Sequence, residues 1–360
     1  MKDWRLWLGV LISVVLLYFP LHSLRLDQVW QVLKGAAYIW LLPAVAVYFL
    51  AVAGRTWRWH YLLRPLKSIS PVKLFPIVTI GYMGNNIYPA RAGELLRAYV
   101  LRKTSDIPIS ASLATILVER VFDGVVMLMF VFVNLPELAG LTQASGLAGS
   151  IRDVAFIGTG AFVGALLVFL LAAMYPATTA RVLHAFLKKS LPVRIRGQAE
   201  PLVDKFLEGL ASLRSPRDVV GVFATSVIIW LLETGKYYLV MQAFNFRVSF
   251  FALMLMNGVV NLAGTLPSAP GYLGTFDTPG IAVLEAYGVV PATATGYTLV
   301  LHAALWLPIT LVGAWFMAHQ SLSLETARKQ ADQESRSVAS TGERELVIED
   351  RDAKASDSPD

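Results

Sequence analysis

Two hydrophobic stretches carry too many helix breakers to be ordinary membrane spans, and they constrain this chain more than any other feature. Leu74–Pro89 contains Pro76, Gly81, Gly84, Asn85, Asn86 and Pro89; Phe250–Val290 contains Asn257, Asn261, Gly264, Pro267, Pro270, Gly271, Gly274, Asp277 and Pro279. Backbone inside hydrocarbon has no water to bond to, so irregular segments persist there only against protein or a water-filled cavity. Paired interrupted segments, one in each half, mark where a membrane transporter builds its site. The surrounding sequence places them in a membrane. Hydrophobic residues make up 56% of the chain and charged ones 16%, which is oilier than one buried core requires.

Uninterrupted spans of about 20 apolar residues are expected at Leu6–Leu21, Ala37–Gly54, Ser112–Leu135, Val154–Tyr175, Val219–Phe244 and Ala292–His319. The start, Met1 to Arg5, resembles a signal-peptide opening, but the run ends in Tyr18-Phe19-Pro20 with no small-residue cleavage site. It reads as an uncleaved first span. The fold class is therefore all-α: a polytopic helical bundle of six to eight spans in pseudo-inverted halves. The membrane domain covers residues 1–319, and a polar tail over 320–360 reads as disordered and cytoplasmic.

Lysine and arginine in short loops set the orientation. Arg55, Arg58, Arg64, Lys67 and Lys73 place the loop after Ala37–Gly54 in the cytoplasm, and seven basic residues between Pro176 and Pro216 do the same for that segment. Asn134–Asp153, with Arg152 alone, is external. Because Lys73 and Arg91 both lie inside, Leu74–Pro89 must enter and leave on one face, as a re-entrant hairpin from the cytoplasm. Phe250–Val290 reads either as a second hairpin from the opposite face or as two spans. Both termini are expected in the cytoplasm of a multi-pass protein of the bacterial inner membrane. Within 176–217, Leu202–Leu213 has apolar residues at helical spacing and reads as an amphipathic helix on the cytoplasmic surface.

The chain carries a formal charge of +6. The tail from Gln320 holds 6 of its 31 basic and 10 of its 25 acidic residues, leaving 25 against 15 in the membrane body. That excess suits an anionic lipid surface. Its placement in short loops argues against nucleic acid as a partner. There is no cysteine, which excludes disulfides and thiolate sites. No P-loop, nucleophile elbow or zinc signature is present, so no cofactor or metal is expected.

Candidate site residues follow from charge at membrane depth. Arg91, Glu94 and Arg97 are three apart and share a face if the chain is helical from Gly93. The arginine fork matches phosphate, so an anionic headgroup, from a phospholipid or a polyprenyl phosphate, is the expected ligand. Glu119, Arg120 and Asp123 lie inside an apolar run, where charge is costly and marks function or an internal lock. Arg120 can pair with Asp123 or bridge to Glu94. Glu233 and Lys236 can neutralise one another at i,i+3. Asp277, Glu285 and His302 form a titratable set that could relay protons. Asn85, Asn86, Asn261, Pro270, Gly271 and Gly274 line the expected path through the broken segments.

The run Gly84-Asn85-Asn86-Ile87-Tyr88-Pro89-Ala90-Arg91-Ala92-Gly93-Glu94-Leu95-Leu96-Arg97, then Val118-Glu119-Arg120-Val121-Phe122-Asp123, then Pro267–Asp277, resembles the lysylphosphatidylglycerol synthase transmembrane-region family, also called flippase-like or UPF0104 proteins. The resemblance covers about Leu6 to His319. It implies a lipid flippase or lipid transporter without enzymatic activity, since the soluble synthase domain of larger members has no counterpart after His319. Asp277 stands where relatives often carry Glu. Two other readings stay open: a membrane glycosyltransferase using lipid-linked sugars, and a non-catalytic scaffold for a lipid-modifying enzyme.

Overall fold

The computed structural model describes residues 26–88, 92–141, 147–190, 193–265 and 269–319. The expected first span Leu6–Leu21, the tail from 320 and Arg91 lie outside the described residues. Every regular element among those described is helical. They are α1 (Leu26–Gly35), α2 (Leu41–Leu63), α3 (Pro71–Ile87), α4 (Gly93–Ser105), α5 (Ile109–Leu141), α6 (Leu147–Met174), α7 (Pro176–Ser190), α8 (Val193–Gly209), α9 (Pro216–Met241), α10 (Phe250–Ala263), α11 (Asp277–Ala286) and α12 (Pro291–His319). The chain divides into a unit over Met1–Gly313 and a short one from Ala314.

Local chemistry sets the helix ends. Ser215 accepts from the Asp218 N–H at 3.4 Å with Pro216 next to it, and Ser249 accepts from the Ala252 N–H at 3.0 Å. Each serine satisfies an N–H that the first helical turn leaves orphaned. Asp106, at φ 56°, closes α4 in the left-handed conformation.

Among the described residues, three helices are long and apolar enough to cross a membrane: Tyr38–Leu63, Pro216–Met241 and Pro291–His319. A fourth is possible if Thr159–Met174 and Pro176–Ser190, bent by 107° at their junction, form one broken span. The bundle is inverted relative to a water-soluble protein. Arg58, Glu119, Asp123 and Lys236 are buried, while Leu42, Val168 and Leu311 are exposed. Apolar side chains facing outward around paired interior charges are what a lipid solvent selects.

The first interrupted stretch lies in a single helix that pairs with the next one, and the second holds two short helices. α3 is continuous through Pro76, Gly81 and Gly84; the hairpin's return limb is α4 rather than any part of Leu74–Pro89. The glycines allow close approach instead of breaking the helix: Gly84 faces Gly93 and Leu96, and Gly81 faces Arg97, in antiparallel order. A side chain at Gly93 would run into the Gly81 carbonyl and the Asn85 backbone. In the second stretch α10 has 14 residues and α11 has 10. At 1.5 Å per residue they reach about 21 and 15 Å, each short of a bilayer core of about 30 Å.

The placement of two arginines is corrected. α2 continues to Leu63, so Arg55 and Arg58 are buried helical residues, not loop charges. Trp59, Leu62 and Leu63 extend the apolar pattern past them into the core. In the segment Leu202–Leu213, Leu207, Leu210 and Leu213 join the core cluster and Gly209 sits against the Ala111 carbonyl of α5, while Leu202 is exposed.

Candidate functional site

Helices α2, α5 and α9 bring charged residues from distant parts of the chain into the interior. Arg58 forms a two-pronged pair with Asp123, Nη1 to Oδ1 at 2.6 Å and Nη2 to Oδ2 at 3.2 Å, and also donates to Ser226 Oγ at 2.6 Å. Trp230 Nε1–H donates to the same carboxylate at 2.9 Å. Arg58 Nε stands 3.6 Å from Glu119, whose other oxygen accepts from Arg97 at 2.7 Å. The Arg97 guanidinium carbon sits over the Trp59 ring, 3.5 Å from its centre. Two cations and two carboxylates thus neutralise each other away from water. Arg120 reaches both expected partners, Glu94 at 3.4 Å and Asp123 at 3.8 Å.

One helical turn toward the N-terminus of α2, Arg55 pairs with Glu233, which also pairs with Lys236. Aromatic faces complete the cations' surroundings: Trp230 and Tyr82 flank Arg55, and Tyr48 faces Lys236 at 4.3 Å. Aromatic faces offset part of the desolvation of a buried cation.

These pairs border a polar cavity of about 140 Å³. Arg55, Glu94, Arg120, Glu233 and Lys236 supply its charged wall. Asn85 and Asn86 from the end of α3 and Gly271, Tyr272 and Phe276 from the second broken stretch form another side, closed by His302, Leu305 and Trp306 of α12. The end of α3 and the connection between α10 and α11 therefore meet at this cavity. Asn86 joins them to α12: its Nδ2 donates to Thr310 Oγ1 at 2.8 Å and to the Trp306 carbonyl at 3.2 Å, while Trp306 Nε1–H reaches back to the Asn86 carbonyl at 3.4 Å. Gly271, at φ 76°, fits beside the Trp306 indole where a Cβ would be within 2.9 Å of its nitrogen.

The expected site residues divide by position. Asn85, Asn86, Glu94, Arg120 and Gly271 line the cavity. Arg97, Glu119 and Asp123 stand behind it as the supporting network. Asp277 is buried, accepting the Gly274 N–H at 3.0 Å and facing His302 at 2.8 Å. Pro270 lines a neighbouring apolar hollow. Asn261 donates to Asn257 and is not among the cavity's lining residues. Glu285 of the titratable set is likewise absent from that lining. Sequence reasoning missed Arg55 and Arg58 as site residues and did not single out Tyr48, Tyr82 and Trp230. The available signal was Arg55-x-x-Arg58 flanked by Trp57 and Trp59: two arginines one helical turn apart inside an aromatic run.

Comparison with known proteins places this architecture. A UPF0104 membrane protein of Methanothermobacter thermautotrophicus is 24% identical over 302 residues, covering 81% of this chain and 88% of its own. The UPF0104 membrane protein MJ1595 of Methanocaldococcus jannaschii is 23% identical over 311 residues, covering 84% and 91%. The glycosyltransferase AglD of Haloferax volcanii is 27% identical over 350 residues, covering 90% of this chain. This chain spans about half of that relative, 55% of its length. The lysylphosphatidylglycerol synthase TM region matches residues 6–313, almost the whole helical bundle described above. The chain is a membrane protein and belongs to the lysylphosphatidylglycerol synthase transmembrane-region family.

Proposed function

We propose that the protein is a lipid flippase or lipid transporter that takes the headgroup of an anionic phospholipid or polyprenyl-phosphate-type lipid into the cavity between the two hairpin tips. The observation carrying this reading is the charge of the cavity wall. Arg55, Arg120 and Lys236 face two carboxylates, Glu94 and Glu233, leaving one cation in excess. A phosphodiester headgroup would bring the wall to neutrality, and a buried charge is tolerated only when paired. The two hairpins would be counterparts in pseudo-inverted halves of a six-to-eight-span bundle in the inner membrane, with both termini cytoplasmic. No step of the reading requires bond making, so the protein acts without catalysis.

The experiment is translocation of dye-labelled lipid in proteoliposomes. Wild type is expected to move an anionic lipid faster than empty vesicles do. Lys236→Met, which removes the excess charge while leaving Glu233 paired with Arg55, should slow that lipid on the order of tenfold and leave a zwitterionic lipid unchanged. A wild-type rate equal to that of empty vesicles would overturn the proposal.

A second reading has its own support. The Haloferax relative is named a glycosyltransferase, and nearly half of it lies outside the match. On that reading this chain is itself a membrane glycosyltransferase using lipid-linked sugars, and purified protein would transfer sugar from a lipid-phosphate donor.

A further inference from the structure

Two spaces meet at one wall. Beside the polar cavity lies an apolar hollow of about 340 Å³, and the two share Gly271, His302 and Trp306 as a common wall. Leu273 and Leu299 line the hollow and are exposed, so it opens on the apolar outer surface. A headgroup in the cavity and its chain in the hollow would have to pass this wall.

The wall is fastened by an imidazole. His302 Nδ1 is 2.8 Å from Asp277 Oδ1, and Nε2 is 2.7 Å from the Gly271 carbonyl oxygen. Both partners accept when the carboxyl is ionised, whereas a neutral imidazole has one N–H and one lone pair. Neutral His302 beside ionised Asp277 could satisfy only one contact and would set lone pair against lone pair at the other. Both contacts are hydrogen bonds only if the pair holds one more proton, as imidazolium with carboxylate or as imidazole with carboxylic acid. Asp277 is held for this by the Gly274 N–H on its second oxygen. The turn it fastens is poised: Gly271 and Tyr272 have φ of 76° and 61°. Consecutive left-handed residues, the second carrying a side chain, persist only where surrounding contacts hold them.

We infer that a proton shared by His302 and Asp277 latches the Pro270–Tyr272 turn as a lateral gate between the headgroup cavity and the lipid-facing hollow. The gate rests on the lipid-transport reading. Closed, the pair keeps both hydrogen bonds; open, it loses the Gly271 contact. The closed form therefore binds the proton more tightly, so acid closes the gate and rising pH opens it. The charges facing His302 across the cavity are Arg55, Glu94, Arg120, Glu233 and Lys236, with one cation in excess. The phenols of Tyr48, Tyr82 and Tyr272 share that wall. That excess resists protonation, and a bound anionic headgroup removes the resistance. Headgroup and proton then favour each other's binding, and the gate closes behind the lipid.

The cysteine-free sequence provides the test. The full chain in liposomes carries Leu305→Cys on the cavity wall or, as reference, Leu299→Cys in the hollow. Labelling by a membrane-dissolved maleimide is measured for both, and their rate ratio corrects for thiol ionisation. The ratio is expected to rise about tenfold from about pH 5.5 to about pH 8.5. His302→Phe should make it high and flat, because neither bond can form. Asp277→Asn should make it low and flat: the carboxamide oxygen keeps the Gly274 N–H while its NH2 donates to a neutral imidazole, leaving Nε2–H for Gly271. A flat ratio with His302 and Asp277 both present, or both substitutions moving it the same way, would overturn the gate. Lipid translocation with a flat ratio defeats the gate alone. The expected ratios without translocation of any lipid defeat the transport reading alone.

Discussion

Replacing Asp123 with alanine removes the partner on which the interior charge network depends. Arg58 would lose both prongs of its pair and keep only Ser226 and Glu119, the latter 3.6 Å away. Arg58 is 1% exposed, so its charge would be left buried without its carboxylate partner. Breaking one side of a buried pair costs about 3–5 kcal/mol, and the orphaned Trp230 N–H adds about 1 kcal/mol. Against a total of about 5–15 kcal/mol for a folded protein, that is a severe loss. In a domain of this size it corresponds to a fall in Tm of about 10 °C, readable by tryptophan fluorescence of purified protein in detergent. Arg58→Met in the same background removes the stranded charge while keeping an apolar stem. The double variant should regain about 2–3 kcal/mol relative to the sum of the singles. Asp123→Ala unfolding within about 2 °C of wild type, or strictly additive singles, would refute the claim that this network holds α2 to α5.

Two further outcomes concern the hairpins. Gly93→Ala drives a methyl into the Gly81 carbonyl and the Asn85 backbone; it should cost about 2 kcal/mol or more and lower Tm, whereas Gly164→Ala, with open space at that position, should leave Tm unchanged. Asn86→Ala removes two hydrogen bonds to α12, about 1–2 kcal/mol together. It should slow lipid translocation more than a matched loss of stability elsewhere does, measured in the same vesicles.

Much of this was legible in the sequence because membranes impose simple rules. Apolar runs gave helices at Tyr38–Leu63, Pro216–Met241 and Pro291–His319 close to the expected spans. Spacing alone exposed the pairing of Glu233 with Lys236 and the choice of Arg120 between Glu94 and Asp123. The failures share a cause. Counting Arg55 and Arg58 as loop charges assumes that arginine after an apolar run has reached water, yet carboxylates 65 and 178 residues away neutralise them in the interior. Such partners carry no local signal. Treating Gly81 and Gly84 as breaks overlooked their other use, letting a second helix approach. The titratable set anticipated His302 with Asp277 but not the second acceptor, the Gly271 carbonyl 31 residues earlier, because a backbone oxygen has no signature in sequence.

The central claim is that a lipid headgroup occupies the cavity where the end of α3 meets the connection between α10 and α11. Electron cryomicroscopy of the protein purified with its native lipid tests this most directly. The account predicts headgroup density within hydrogen-bond reach of Arg55, Arg120 or Lys236, with its chain leading past Trp306 into the hollow beside Leu299. A lipid bound with its headgroup elsewhere, and the cavity filled by water alone, would contradict it.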